Sequence, residues 1–596
     1  MEISIHSKTF LLSFFFILSQ PLSFLVSQAC HSVDRQALLH FKHNIISDPS
    51  KLLHSWSPSS DCCSAWEGVG CDSSSGRVVK LSRPGLSGDN DFILDTYMSG
   101  TLSPFLGNLS SLQLLDLSNL KNLKGPIPPE FGKLSNLTHM FLDTNKLTGS
   151  IPWTFQYLFL LEKLYLGNND MSGSVPNSVF EAVSSLLELG LSGNRLSGPI
   201  PNSIGNLVLL TKLELQGNKF SGTIPTSIGK LKSLTYLDLS QNRISGGLSQ
   251  SIGGLSELVL LYLNHNKITG AIPSSISGLT SLRFCQLSEN KLTGTLPASL
   301  GQLPKIERLI FENNRLSGKL PATIGHLTTL TDIFFANNHF SGKIPSSFGN
   351  LHNLQTLDLS KNRLSGQIPP QLAKLQMLQT LDLSSNPLRL LSIPSWFSKL
   401  KLFRLLLAKT GLKGQLPVWL SSSSISILDL SGNALAGKLP HWIGNMTNLS
   451  FLNLSNNAFH SSIPAEFKNL SLLMDLDLHS NKFSGLLDAI LSKQSQDPLG
   501  QFNSIDLSNN MFTGPIDEHI GEEPSMASIK SLILSSNKLT GTIPKQVLDL
   551  KDLQELNLSK NQLHGVIPPH KASFPASAFM DNPGLCGAPL PPCNHS

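Results

Sequence analysis

Seven cysteines are the residues of this chain whose chemistry is easiest to anticipate. Six of them flank the regular part of the sequence, four before it and two after it: Cys30, Cys62, Cys63, Cys71, Cys586 and Cys593. In an oxidising compartment they form two disulfides near one end and one near the other. A zinc site is the alternative, but the adjacent pair Cys62 and Cys63 lacks the Cys-x2-Cys spacing of a zinc knuckle.

Other spacings that carry chemistry are incomplete. Five Gly-Lys pairs occur, but each is followed by Leu or Ile instead of the Ser or Thr of a phosphate-binding loop. Asp517, Glu518, Glu522 and Glu523 lack the alternating spacing of a calcium loop, so a solvated loop is the better interpretation. No carboxylate pair stands apart from the repeat pattern, and a triad assembled from distant repeats is not visible in a sequence. We therefore expect no enzyme activity, no cofactor and no metal site.

The first 29 residues have the pattern of a signal peptide. His6 and Lys8 precede a 17-residue apolar stretch, and Ser27-Gln28-Ala29 offers the small-x-small pattern of a cleavage site. The alternative is a membrane anchor, but the stretch is shorter than the ~20 residues that span a bilayer, and it contains a proline. No later segment is apolar enough to span, and the end of the chain lacks the tail of a glycolipid anchor. We expect a secreted protein in the extracellular space or cell wall, associated with the plasma membrane only through a partner.

The charge distribution predicts no nucleic-acid partner. The formal net charge is +5, and the basic residues are scattered along the sequence without a run of Lys or Arg. Nucleic-acid binding requires a clustered basic stripe, so the mild excess of positive charge is interpreted as a general surface property.

One short pattern, L-x-L-x-x-N, organises most of the chain. From Asn194 to Thr410, which takes the place of one asparagine, the spacing is 24 residues nine times in succession. The asparagines are Asn145, Asn169, Asn194, Asn218, Asn242, Asn266, Asn290, Asn314, Asn338, Asn362, Asn386, Asn433, Asn457, Asn481, Asn510, Asn537 and Asn561. Two looser units precede them, one near Asn122 and one with an insertion around residues 89–97, which makes about twenty repeats.

The repeat determines the fold class. Leu357 and Leu359 alternate with polar residues and therefore point to one face of a short strand. Asn362 lies where the chain turns inward, and its amide can bond the backbone of the turn and of the neighbouring coil. One repeat cannot bury its leucines alone, but a stack can. The sequence predicts a curved superhelical solenoid with an inner parallel β-sheet and disulfide-stapled caps.

These motifs resemble the plant-type extracellular leucine-rich-repeat family, which includes receptor-kinase ectodomains, receptor-like proteins and polygalacturonase inhibitors. The resemblance covers everything after residue 29, including a cysteine motif at 62–71 and another at 582–593. After the expected signal peptide at 1–29, it implies an N-terminal cap at 30–76, repeats at 77–570 and a C-terminal cap at 571–596. It also implies the disulfides Cys30–Cys62, Cys63–Cys71 and Cys586–Cys593. Cys285 occupies an inward leucine position, so we expect a free, buried thiol.

The outward strand positions of the earlier repeats are candidates for ligand binding, because aromatic and charged residues replace the consensus there. In the later repeats the corresponding position is mostly Asp. The alternative is that aromatic residues simply suit strands and stack on neighbouring coils. The candidates are His139, Phe141, Lys163, Tyr165, Glu188, Lys212, Glu214, Tyr236, Asp238, Tyr262, Phe284, Arg308, Ile310, Asp332 and Phe334.

Eight N-glycosylation sequons add to this interpretation. Asn453 and Asn557 stand between two strand leucines, so their glycans would obstruct the later part of the concave face. The sequons are at Asn108, Asn136, Asn445, Asn448, Asn453, Asn469, Asn557 and Asn594.

Two functions are compatible with these features. The first is recognition of a peptide, glycan or protein ligand in defence or developmental signalling, through a membrane-bound receptor kinase. The second is inhibition of a secreted cell-wall-degrading glycosidase, because residues 117–128 resemble the polygalacturonase inhibitors. A structural wall or ice-binding role would require a uniform face, which the sequence does not have.

Overall fold

A computed structural model of the chain describes residues 29–86, 96–493, 498–570 and 573–593. The expected signal peptide up to residue 28, most of the insertion around residues 89–97, and Asn594 lie outside these residues. Within them the chain coils into a solenoid, and each coil contributes one short strand to a parallel sheet on its inner, concave side.

Twenty strands pair in chain order to form this concave sheet, in which consecutive strands are parallel. Val69–Cys71 adds an antiparallel strand to its first edge. The parallel strands are Val78–Ser82, Leu114–Asp116, His139–Phe141, Lys163–Tyr165, Glu188–Gly190, Lys212–Glu214, Tyr236–Asp238, Leu260–Tyr262, Phe284–Gln286, Arg308–Ile310, Asp332–Phe334, Thr356–Asp358, Thr380–Asp382, Arg404–Leu406, Ile427–Asp429, Phe451–Asn453, Asp475–Asp477, Ser504–Asp506, Ser531–Ile533 and Glu555–Asn557.

A second set of strands follows the ladder residues on one flank of the solenoid, and these strands pair in several small sheets. They are Met98–Thr101, Lys121–Pro126, Lys146–Thr148, Ser172–Gly173, Arg195–Pro199, Lys219–Ser221, Ser245–Gly247, Lys267–Gly270, Lys291–Leu292, Ser317–Lys319, His339–Gly342, Arg363–Leu364, Lys413–Gly414, Ala434–Gly437, Ala458–Ser461, Lys482–Gly485, Met511–Gly514, Lys538–Leu539, His564–Val566 and Gly584–Cys586, with Ile45–Ser47 antiparallel at the start.

Helices occupy the outer side of the coils. The α-helices are Ser32–His43, Cys62–Ala65, Asn177–Ala182, Asp488–Leu491 and Lys545–Leu548. Most other coils have a five-residue 3-10 helix, such as Thr226–Lys230, in which Gly229 lies so close to the next coil that an added Cβ would stand 2.2 Å from the Ser251 carbonyl oxygen. No helix in the described ranges is both long and apolar enough to cross a bilayer.

The ladder asparagines couple each coil to the one before it. The Asn242 Nδ2 atom donates to the carbonyl oxygens of Leu239 and Ser240 in its own coil, at 3.2 and 3.0 Å, and to that of Leu215 in the preceding coil at 2.9 Å. Its Oδ1 atom accepts from the Phe220 amide at 3.0 Å. One buried side chain therefore satisfies backbone groups of two coils, as the sequence predicted.

Thr410 interrupts this coupling. It is fully buried at the ladder position, but its hydroxyl donates only to the Leu407 carbonyl oxygen, 2.7 Å away in its own coil. Asn433 partly compensates, because its Oδ1 atom accepts from the amides of Thr410, Gly411 and Leu412. The coil between Asn386 and Thr410 also has no flank strand.

The ends of the solenoid are fastened covalently and by a buried ion pair. The disulfides are Cys30–Cys62, Cys63–Cys71 and Cys586–Cys593, which confirms the pairing implied by the family and excludes a zinc site at these cysteines. Asp34, on the first helix, is buried and accepts two hydrogen bonds of 2.9 Å from Arg77.

Cys285 is free and buried, as predicted, and burial raises its pKa to about 12.

We predict that Asn242→Ala lowers the free energy of unfolding by about 3 kcal/mol, because it leaves buried backbone groups of two coils without partners. Chemical denaturation monitored by circular dichroism measures the change. The matched control is Arg243→Ala, which removes the next side chain, an exposed one. Equal effects of the two substitutions would contradict the role of the ladder.

Candidate functional site on the concave face

The strands of the concave sheet alternate between core and solvent. In Lys163–Tyr165 the central Leu164 is 2% exposed, and the residues on either side point to the concave surface. Because consecutive strands pair without a shift, outward residues of successive coils stand side by side in two rows. The predicted candidates occupy these rows, as the fold prediction required.

The first group of candidates is joined by direct contacts around Glu188. Tyr165 donates its hydroxyl proton to Glu188 Oε2 at 2.6 Å, and Lys163 Nζ lies 2.7 Å from Glu188 Oε1. Burial opposes ionisation of Glu188, but the hydrogen bonds from Lys163 and Tyr165 outweigh it and lower its pKa. The Tyr165 ring lies against Gly190, where an added Cβ would stand 2.5 Å from the ring, so the glycine makes room for the tyrosine.

Lys212 extends this group across the next coils. Its Nζ atom is 5.5 Å from the ring centroids of both Tyr165 and Tyr236, and 3.0 Å from Glu214 Oε2. An ammonium group at this distance from two rings is attracted to both faces. The rings and charges are thereby held in one arrangement before any ligand arrives.

The aromatic side chains continue in both directions. Phe141 makes tilted ring contacts with His139 and Tyr165, with centroid distances of 5.9 and 5.7 Å, and Tyr236 lies 5.9 Å from Tyr262. Burial raises the pKa values of both Tyr165 and Tyr236, so their hydroxyls stay protonated and able to donate.

A second group lies farther along the same face. The Arg308 guanidinium is 5.9 Å from the Phe284 ring centroid, and its Nε atom donates to Asp332 Oδ2 at 2.8 Å. Ile310 and Phe334 are paired neighbours in the adjoining row. Arg308 is exposed, whereas Asp332 is only 8% exposed and serves mainly to hold the arginine.

Two candidates are less accessible than their positions suggested. Asp238, like Asp332, is 8% exposed; its Oδ1 atom accepts from the Ser240 amide at 2.9 Å, and burial raises its pKa. The sequence shows that both aspartates point outward, but not that larger neighbours cover them. They contribute to the site by orienting other groups.

Sequence reasoning missed the acidic part of the concave face, which it treated as consensus. Burial raises the pKa of Asp382 to about 6, and the nearby Asp358 and Asp429 add to this shift. The sequence does predict this acidic part, because aspartates at the same position of consecutive repeats must lie beside each other in the sheet.

One cluster has the residue types of a metal site. Single ligand atoms of Asp477, His479 and Asp506 lie within 4.8 Å of one another. His479 already uses both ring nitrogens, Nδ1 at 2.6 Å from Asp477 Oδ1 and Nε2 at 2.8 Å from Asn456 Nδ2. Both ring nitrogens of His479 are therefore already engaged in hydrogen bonds within the protein.

The sequon asparagines lie where sugars can be attached. Asn108, Asn136, Asn445, Asn448 and Asn469 are exposed at the edges of the coils. The half-buried Asn453 and Asn557 stand in a row of the concave face, as predicted.

Comparisons with known proteins agree with this architecture. The leucine rich repeat N-terminal domain matches residues 31–72, and leucine rich repeat models match five segments between residues 160 and 388 and five between 377 and 573. The crystal structure of PEPR1 with AtPEP1 is 33% identical with a TM-score of 0.76, over 90% of this chain and 76% of that one. The ectodomain of the Arabidopsis receptor kinase HAESA, solved with the peptide hormone IDA and the co-receptor SERK1, is 32% identical with a TM-score of 0.63, over 94% and 98%.

Among the curated relatives, a polygalacturonase inhibitor of Vitis vinifera is 34% identical over 135 residues, which are 22% of this chain and 36% of the inhibitor. The first two curated matches likewise cover 34% and 39% of the relatives' own length. The repeats, the N-terminal cap and the similar solved structures together define the class of protein. The chain belongs to the leucine-rich-repeat family, and its relatives are plant receptor-like proteins, receptor kinases and polygalacturonase inhibitors.

We predict that Asp382→Asn stabilises the protein above pH 6 and has no effect near pH 4. The folded-state pKa of about 6 lies above the ordinary value of 3.8, so folding favours the protonated acid, and stability falls as the pH rises from about 4 to about 6. Two pKa units correspond to at most about 3 kcal/mol, and we expect about 2 kcal/mol at pH 7.5. Urea unfolding of the variant and of the unchanged protein at pH 4 and at pH 7.5 measures this difference in stability.

Asparagine fits this position, because Asn453 and Asn557 stand at the same place in other repeats and accept the Ser455 and Ser559 amides. A destabilised variant at pH 7.5, or an equal gain at both pH values, would contradict the assignment.

Proposed function

We propose that this chain is an extracellular recognition protein that binds a peptide on the first half of its concave face. The ligand-bearing complex then engages a membrane-bound receptor kinase in defence or developmental signalling. The observation that carries the proposal is the pre-arranged surface between His139 and Phe334, in which aromatic rings alternate with paired charges on a face that the fold leaves open.

The contacts of this surface suit a peptide. Rings give apolar contact area, and the half-buried Lys163, Glu188 and Glu214 offer polar groups of both signs. Tyr and Arg are the side chains enriched at sites that contribute most to binding. Since they are already held by neighbours, little conformational entropy is lost when a ligand binds. The likeness to PEPR1 and HAESA, both solved with their ligands, supports this class of ligand.

Inhibition of a secreted cell-wall-degrading glycosidase is the second candidate. It is favoured by the likeness to the Vitis vinifera polygalacturonase inhibitor and by the inhibitor-like segment at residues 117–128. An inhibitor would bind a folded enzyme, and polygalacturonase activity in the presence of the protein tests this directly.

We predict that changing Tyr165, Tyr262, Arg308 and Phe334 to Ala weakens ligand binding at least about 100-fold, since two lost contacts of about 1.4 kcal/mol each suffice for that factor. Immobilised protein is incubated with plant extracellular fluid and solubilised plasma membrane. Captured peptides and proteins are then identified by mass spectrometry, and the affinity of each captured peptide is measured.

The matched control changes Tyr157, Phe159, Phe403 and Lys305 to Ala, all exposed outside the two concave rows. We expect peptides and a receptor kinase with the unchanged protein and the control, and neither with the concave variant. An identical captured set from a concave variant that melts normally would refute the site. Capture of a glycosidase, with inhibition, would favour the second candidate.

A further inference from the structure

Four large apolar side chains are exposed on the edge of the solenoid where the outer helices lead into the concave strands. Phe159 and Leu160 belong to one coil, and Val208 and Leu209 belong to the second coil after it; at least half of each side chain is exposed. We call these four residues the apolar edge. Leu160 and Leu209 each stand four residues before the central leucine of a concave strand, so the pairing of the strands places them in one row.

The coil between the two apolar pairs forms a groove. It has Ser184 and Ser185 at the same two positions. The Ser185 Oγ atom lies 2.7 and 2.9 Å from the carbonyl oxygens of Phe159 and Leu161, so this side chain is turned to the backbone and does not project. The edge therefore consists of one ridge, a groove one coil wide and a second ridge.

Polar residues border this surface on both sides. The same two positions carry exposed or half-buried polar side chains in the coil before it and in the two coils after it: Ser135, Asn136, Lys232, Ser233, Ser256 and Glu257. Asn136 is also a glycosylation sequon, so a sugar there would mark the limit of any contact. An apolar centre inside a polar rim is the usual composition of a protein interface.

Two aromatic residues extend the apolar surface toward the outer helices. Trp153 and Tyr157 are 57% and 46% exposed, and their ring centroids are 6.1 Å apart. With roughly 100 Å² exposed on each of the six side chains, the patch measures about 600 Å², the upper end for the largest apolar patch of a monomer. Two such patches in contact would bury about 1,200 Å², which is sufficient for a specific interface.

We propose that the apolar edge is the interface of a dimer of two copies of this chain. The two-fold axis passes between the coil of Ser185 and the coil of Leu209, perpendicular to the direction in which the coils stack. Val208 and Leu209 of one protomer then fill the serine groove of its partner. The same contact is made in the reverse direction, as a symmetric interface requires.

This axis also brings rings and lysines together. Tyr157 and Lys230 both end a 3-10 helix, three coils apart, and Phe159 and Lys232 occupy equivalent positions of the same two coils. Each ring of one protomer therefore faces an exposed lysine of its partner, and an ammonium group is attracted to an aromatic face. A second copy is favoured as the occupant, because one symmetric contact uses the ridge, the groove, the rings and the lysines. The proposal does not depend on the ligand of the concave face.

Sedimentation equilibrium of the secreted protein, from about 1 to about 100 µM, tests the dimer. We expect a reversible equilibrium between monomer and dimer. Leu209→Asp should raise the dissociation constant at least about 100-fold, because symmetry places the new charge in two grooves. The matched control is Met377→Asp, in a distant coil, which changes a residue of the same row that is also 50% exposed. We expect the control to dimerise like the unchanged protein.

Disulfide cross-linking tests the arrangement of the two protomers. The variants Ser185→Cys and Leu209→Cys are mixed in equal amounts and oxidised. We expect a covalent dimer to form at least about fivefold faster in the mixture than in either variant alone, since only the mixed pair lies face to face. Cys285 is buried and does not compete for the cross-link.

Three results would each overturn the proposal: a protein that stays monomeric at every concentration, equal effects of Leu209→Asp and Met377→Asp, or a mixture that cross-links no faster than the single variants. Melting temperatures confirm that all variants are folded. None of these measurements requires the ligand, so their failure leaves the peptide site of the concave face untouched.

Discussion

The structure depends on one buried amide that recurs in almost every coil. A side chain such as Asn242 bonds three carbonyl oxygens and one amide of two successive coils. Leucines supply the apolar area, but burial is non-directional and does not determine where one coil stands above the next. The hydrogen bonds of the asparagine side-chain amide determine this position, because a shift of one residue between two coils would break them.

The surfaces of the molecule follow from this register. Once the coils are stacked in phase, any residue type that recurs every 24 positions becomes a continuous line. Aromatic and paired charged residues become the concave surface, and the repeated aspartates Asp358 and Asp382 stand side by side on it, where burial and the neighbouring acids raise the pKa of Asp382. One physical device therefore produces chemically distinct surfaces on the same solenoid.

Most of the fold could be predicted from the sequence, because period, caps and cysteine positions are local features of the chain. The inward position of Cys285 and the outward position of Tyr165 follow from counting along the repeat. What counting does not provide is the neighbourhood of a side chain. The burial of Asp238 and the bond between Tyr165 and Glu188 depend on the sizes of residues in adjacent coils.

The claim that ladder amides hold the coils together is tested most directly by hydrogen exchange of the native protein, resolved along the solenoid by mass spectrometry. The Phe220 and Leu364 amides donate to ladder side chains, whereas the Leu388 amide donates only to the Asn386 carbonyl oxygen of its own turn, beside Thr410. The account predicts strong, similar protection of the ladder-bonded amides from Phe220 to Leu364 and a minimum at Leu388, whereas the amides of Thr410, Gly411 and Leu412, which donate to Asn433, stay protected. Protection that continues undiminished through Leu388 would contradict it.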